Sequence, residues 1–234
     1  MTLLVKNNGI VVPGEQVAEG EYKANQGVFQ SEDKFYSTLT GLLIVSGESL
    51  RIQPLQGAYA PKVGDLVIGK ITDAGLTSWK VDIGGAYEAI LAVSNATSRR
   101  FDPIRDDTRR IYEVGDVIRA KIISFNRTKD PSLLTRERGL GKLHDGRVIE
   151  VSPVHISRII GRRGSMIAMV KRMTKTRILV GQNGRVWISG NTREEEILAI
   201  RAIEKIDREA HTTGLTERVS ELLMNGSSDD NNDN

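Results

Sequence analysis

The sequence predicts a multidomain α+β protein: an N-terminal all-β module, a small five-stranded barrel, and a C-terminal α/β module turning on a glycine-flanked loop. Three observations predict it. Up to about residue 138 the apolar stretches are short, rich in β-branched residues and punctuated by Gly, Pro, Asn and Asp, the pattern of strands and turns. The tripeptide Val-Gly-Asp occurs at Val63–Asp65 and again at Val114–Asp116, both times just ahead of an apolar strand pattern. From Val148 onward a strand, a helix, Gly161-Arg162-Arg163-Gly164, a second helix, a hairpin and a long helix follow in order.

Composition limits the chemistry. The 234 residues allow one or two domains, or three small ones. There is no cysteine, so disulfides and thiolate metal sites are excluded. His144, His155 and His211 are scattered, without metal-ligand spacing. No catalytic residue, cofactor or metal is expected. The N-terminus lacks the shape of a signal peptide, and no apolar run approaches about 18 residues, so a soluble, cytoplasmic protein without a membrane partner is expected. The net charge of +3 is unevenly spread. Residues 1–60 carry net −2, residues 61–140 net +3, residues 141–190 net +8 and residues 191–234 net −6. Positive charge therefore concentrates around the Gly-Arg-Arg-Gly stretch, as neutralisation of a phosphate chain requires.

Residues 1–58 form the first module. Gly9–Val12 reads as a strand running into the Pro13-Gly14 turn. Strand patterns follow at 27–30, 34–40, 41–45 and 49–55, with no long helix. The module has few basic residues, and it reads equally as a structural appendage or as a docking surface for a protein partner.

Residues 61–138 form the second. Strands are expected at Leu66–Ile71, Ser78–Ile83, Ala86–Leu91, Val117–Ile123 and Pro131–Thr135. A single-strand-binding face on such a barrel would need a basic groove and stacking aromatics. Lys70, Trp79, Tyr87 and Phe125 are candidates for that face, and each of the three aromatics could instead be core. Between the third and fourth strands, Ser94–Glu113 carries Arg99, Arg100, Arg105, Arg109 and Arg110 interleaved with Asp102, Asp106 and Asp107. The arginines either pair with those aspartates or guide RNA, since the planar guanidinium suits phosphate and stacks on bases.

Leu140-Gly141-Lys142 leaves almost no slack before the third module, residues 142–212, so the two should be rigidly related. Met166, Ile167, Met169, Val170 and Met173 fit a helical period. Gly161 and Gly164 allow a backbone to approach closely, and the N–H groups opening the next helix favour an anion. Arg162 and Arg163 sit at that point, with Arg158, Lys171 and Arg172 nearby. A second G-x-x-G, Gly181–Gly184, lies between two strand patterns and reads as a hairpin turn. Thr192 and Glu195 fit a capping box opening a helix with Ile197, Ile200, Ile203 and Ile206 as its core stripe. Residues 213–224 read as an amphipathic segment and 225–234 as a disordered acidic tail.

The motifs carry a resemblance. Gly161-Arg162-Arg163-Gly164 in its helical context resembles the loop with which KH domains clamp about four backbone nucleotides. The repeated Val-Gly-Asp entry resembles S1-type OB-fold barrels. The order of β-module, S1-type barrel and single KH domain, with the Val12-Pro13-Gly14 turn, is similar to the S1/KH RNA-binding cap subunit of the archaeal RNA exosome. That resemblance implies a non-catalytic subunit binding single-stranded RNA, not DNA. It implies three copies on a hexameric ring of phosphorolytic RNase subunits, docked through the N-terminal module, feeding RNA into the pore for 3'-to-5' degradation. Phosphorolytic nucleases place KH before the barrel and need large catalytic domains; elongation factors with an S1-type barrel carry two KH domains. A free-standing RNA-binding adaptor in translation or transcription is the alternative.

Overall fold

The computed structural model describes residues 2–55, 57–99, 101–126 and 128–226. The chain divides into two compact units, Met1–Gly57 and Ala58–Asn234. The first is all β. Its strands are β1 (Thr2–Leu3), β2 (Ile10–Val11), β3 (Gln16–Glu19), β4 (Lys23–Ala24), β5 (Val28–Ser31), β6 (Lys34–Ser37), β7 (Gly41–Ser46) and β8 (Ser49–Pro54). They form two four-stranded sheets, ordered β1-β3-β6-β5 and β2-β7-β8-β4. Alternation along β7 and β8 turns Leu43, Leu50 and Ile52 inward to join Val11, Val17 and Phe35 in the core.

The second unit opens with the barrel: β9 (Leu66–Ala74), β10 (Ser78–Asp82), β11 (Glu88–Ala92), the one-turn α1 (Val93–Ala96), β12 (Val117–Asn126), β13 (Lys129–Leu134) and the short β14 (Gly141–Lys142). The sheet runs β13-β11-β10-β9-β12-β14, and pairing of β13 with β12 closes it. The two Val-Gly-Asp turns are counterparts. Gly64 N donates to Ile122 O at 2.8 Å and Gly115 N to Ile71 O at 2.9 Å, so each turn is fastened to the strand that the other introduces. Asp65 accepts from the Tyr59 hydroxyl at 2.7 Å, and Asp116 from the Glu113 amide at 2.9 Å and Lys142 Nζ at 2.7 Å.

The KH module comprises β15 (Arg147–Glu150), α2 (Ile156–Ile160), α3 (Ser165–Thr174), β16 (Arg177–Val180), β17 (Arg185–Ser189), α4 (Arg193–Arg208) and α5 (Leu215–Gly226). Its antiparallel sheet is ordered β15-β17-β16. The capping box at Thr192 and Glu195 is present. The stripe of α4 differs from the four-isoleucine reading: Ala199, Ala202, Ile203 and Ile206 are fully buried, while Ile197 and Ile200 are only partly covered. Two alanines let α4 lie close to its neighbours, and the buried seam shares only Ile203 and Ile206 with the expected stripe. Helix α5 packs Leu215, Val219 and Leu223 into the same core and runs through Asn225 and Gly226; the rest of the acidic tail, 227–234, lies outside the described residues.

Barrel and KH module are pinned together by the β16–β17 turn. Asn183, 3% exposed, accepts from Ile68 N at 3.1 Å and donates to Ile68 O at 2.7 Å and Ile83 O at 2.8 Å. Gln182 forms a two-bond bridge with the Leu66 backbone. Arg185 binds Asp82 through its carbonyl and its carboxylate, both at 2.7 Å, and Glu150 at 3.1 Å. Gly181–Gly184 is thus a hairpin turn with a second task.

Candidate nucleic-acid interface

The Gly161–Gly164 loop joins α2 to α3. Gly161 (φ 76°) needs its conformation and its size, because a Cβ there would stand 2.6 Å from the Met166 Cβ and 2.7 Å from its amide N. At Gly164 (φ 78°) there is room, so conformation alone selects glycine. Arg163 between them also takes a left-handed conformation (φ 52°, ψ 29°), an uncommon state for a residue that carries a Cβ. Arg162, Arg163 and Arg172 are exposed and enter no ion pair among the described residues. Arg158 is also exposed, but its guanidinium donates to Thr212 O at 2.9 Å, which ties it to the α4–α5 connection. Lys171 is half-buried.

On the barrel a cleft of about 690 Å³ is lined by Tyr87, Ile90, Phe125, Asn126, Lys129 and Ser132 among others. Tyr87 and Phe125 meet edge to face, 5.0 Å between centroids. Asn126 lines the cleft, and its side-chain oxygen accepts from the Thr128 amide and hydroxyl at 3.0 and 2.8 Å. An aromatic pair, an apolar floor and a lysine suit a stacked base with its phosphate. Asn126 and Lys129 belong to no motif in the sequence. Their position beside an expected aromatic, in the β12–β13 hairpin, was the available signal.

Trp79 does not belong to this face. It is 0% exposed, donates from Nε1 to Tyr112 O at 3.0 Å and meets the Tyr112 ring edge-on at 5.3 Å. The alternation of β10 explains it: Trp79 and Val81 point inward and Ser78, Lys80 and Asp82 outward. Lys70 is exposed, but it pairs across the ladder with Asp82, beside the joint, and lines no part of the cleft.

In the 94–113 insertion the aspartates fold the loop. Asp102 accepts from the Ile104 amide at 3.0 Å, Asp106 from the Asp102 amide at 2.9 Å, and Asp107 from the Arg109 amide at 2.9 Å. Thr108 anchors the loop to the β9–β10 turn through Gly75 O at 2.8 Å. Arg99, Arg105, Arg109 and Arg110 are all exposed. Among the described residues only Arg105 has an acidic partner, Asp102 at 3.9 Å in the open, a contact of about 0–1 kcal/mol. Arg100 lies outside the described residues.

A closed S1-type barrel fused to a KH module with an open Gly-Arg-Arg-Gly loop places the molecule among the S1/KH proteins. The sequence comparisons narrow that class. Residues 8–56 match the family described as the exosome RNA binding protein RRP4 N-terminal domain, residues 58–124 the RRP4 S1 domain, and residues 146–194 the KH domain. Exosome complex component Rrp4 of Thermococcus kodakarensis is 46% identical over 95% of this chain and 87% of its own, and that of Thermofilum pendens 42% identical over 95% of each. A crystal structure of a candidate exosome complex RNA-binding protein, 37% identical, superposes with a TM-score of 0.70 over 74% of this chain and 99% of its own. The chain belongs to the Rrp4 family of exosome complex components.

Proposed function

We propose that this protein is a non-catalytic cap subunit of an exosome that captures single-stranded RNA and feeds it to the pore of a ring of RNase subunits, three caps to a ring. The observation that carries this reading is the pair Arg162–Arg163, presented without acidic partners among the described residues on a loop where Gly164 leaves open space beside the backbone for a sugar-phosphate chain. Phosphate contacts there supply affinity without regard to sequence, and the Tyr87–Phe125 cleft adds base stacking. The Arg99–Arg110 loop contributes further cations toward the pore. The N-terminal unit docks on the ring, and the complex works in the cytoplasm.

Two experiments test this. Replacing Arg162 and Arg163 with Asp should weaken RNA binding and reduce the slope of log affinity against log salt by about 0.7 for each lost phosphate contact; an unchanged slope removes the loop from the RNA path. Mass measurement of the chain mixed with ring subunits should give a complex with three copies that degrades RNA more processively than the ring alone. A chain that binds RNA yet never joins a ring would instead be a free-standing adaptor.

A further inference from the structure

We propose that Asp130 in the barrel cleft distinguishes RNA from DNA, its carboxylate accepting a hydrogen bond from the 2′-hydroxyl of the nucleotide whose base stacks on Tyr87 and Phe125. The inference rests on the RNA-binding reading above and deepens it by assigning the choice of sugar to one side chain.

The strand pattern brings the groups together. Along β13, Pro131 and Leu133 are buried in the barrel, so Asp130 and Ser132 point outward on one face. Residues two apart on a strand stand about 7 Å from each other. On β11, Ala89 and Leu91 are buried and Ile90 between them faces out. Ser132 is paired with Ile90 on one side and with Ser124 of β12 on the other. Ile90, Ser124, Ser132 and Asp130 all line the cleft, and the edge-to-face pair of Tyr87 and Phe125 lines it too. One opening therefore holds an aromatic surface for a base, a floor with small hydroxyls, and a carboxylate.

That carboxylate is free. Asp130 is exposed, and its side chain enters no hydrogen bond or ion pair among the described residues. Glu88, which faces out two residues before Ile90, is engaged by Lys80 at 3.8 Å. Among the described residues no group of three or more His, Asp or Glu side chains could hold a metal ion, so Asp130 belongs to no metal-ligand set. A bare carboxylate repels the phosphates of a strand, and its place in such a cleft becomes favourable only when the strand donates a hydrogen bond to it. Every ribonucleotide carries the same donor whatever its base, the 2′-hydroxyl. A carboxylate accepts that bond more strongly than the neighbouring serine hydroxyls do. Lys129 lines the same cleft and supplies the cation for the phosphate, so sugar and phosphate are met by adjacent groups of opposite charge. A deoxynucleotide leaves Asp130 with the repulsion and without the bond.

The test compares the affinity of the full chain for a labelled single-stranded oligouridylate and for an oligodeoxyuridylate of equal length, which differ in that hydroxyl alone. The parent should bind the RNA more tightly. Asp130→Ala should lower the RNA-to-DNA affinity ratio about ten-fold, the scale of one charge-assisted hydrogen bond in the open, while DNA binding holds or rises because a repelling charge is gone. Asp130→Asn, with the same shape and a neutral acceptor, should lower the ratio by less. A 2′-fluoro oligouridylate, which keeps the ribose pucker and lacks the donor, should bind the parent as weakly as the DNA does. Equal binding of RNA and DNA by the parent overturns the proposal. So does a ratio that Asp130→Ala leaves unchanged while both affinities rise, and so does a 2′-fluoro strand held as tightly as RNA. Oligocytidylate and its deoxy form should lose the same ratio; a loss that follows one base in both sugars would assign Asp130 to a base edge instead. A parent that binds none of these strands would sink the underlying RNA reading, and the proposal with it.

Discussion

Trp79 and Tyr87 are both aromatic residues of the barrel, and the structure gives them opposite duties. Trp79 fills the core with its indole N–H satisfied by Tyr112, while Tyr87 sits in the cleft mouth against Phe125. Trp79→Ala should cost about 3–5 kcal/mol of stability in denaturant unfolding. Tyr87→Ala should leave unfolding within about 1.5 kcal/mol of the parent, the scale of one aromatic pair, and weaken RNA binding by about 1–3 kcal/mol, the scale of one stacked base. A Trp79 variant that folds normally and loses RNA would reverse the assignment. The glycines of the KH loop were legible one residue at a time, since Gly161 and Gly164 need no partner to announce a positive φ. The freedom of the arginines was not. That the aspartates of the insertion are spent on backbone amides, with only Asp102 also within 3.9 Å of an arginine, depends on the loop's path, which composition leaves open.

At the scale of elements, the β16–β17 turn does the most with the fewest atoms. Asn183 satisfies three backbone groups on two barrel segments, Ile68 N–H, Ile68 C=O and Ile83 C=O. Asn183→Ala orphans all three in a buried place, at about 1–3 kcal/mol each. Equilibrium unfolding should show a loss of several kcal/mol, or separate transitions for barrel and KH module where the parent has one. A loss below about 1 kcal/mol would mean that water replaces the amide. The sequence marked this stretch correctly as a turn between strands. Its amides carried no local sign of a partner, because a polar residue at a turn tip ordinarily faces water.

Across the second unit as a whole, Asp82 and Arg185 join the two modules electrostatically. Burial acts to raise the Asp82 pKa, but hydrogen bonds from Arg185 and the Gly84 amide, with the charges of Arg185 and Lys70, outweigh it and hold the carboxyl below its ordinary 3.8. A pKa depressed in the folded state means that this contribution is complete above the unfolded value and is lost as pH falls through the folded one. Asp82→Asn should therefore be less stable than the parent at neutral pH, with the difference closing below pH 3.8. A difference that stays constant from pH 7 down into that acid range would assign the effect to packing. The same unit carries the charge asymmetry into function: the +8 of residues 141–190 includes Arg162, Arg163, Lys171 and Arg172, all on or beside the loop, while the acidic groups of α4 and α5 follow it in the chain.

By itself the sequence determined the order of modules, the strand and helix types, the Gly-Arg-Arg-Gly loop and the concentration of positive charge, because periodicity, turn chemistry and composition are properties of neighbouring residues. Only the tertiary structure decided which aromatics face the cleft, which arginines remain unpaired, and how barrel and KH module lock. Those outcomes depend on contacts such as Asn183 with Ile68, 115 residues apart, where burial and hydrogen-bond geometry are set by the packing of whole elements.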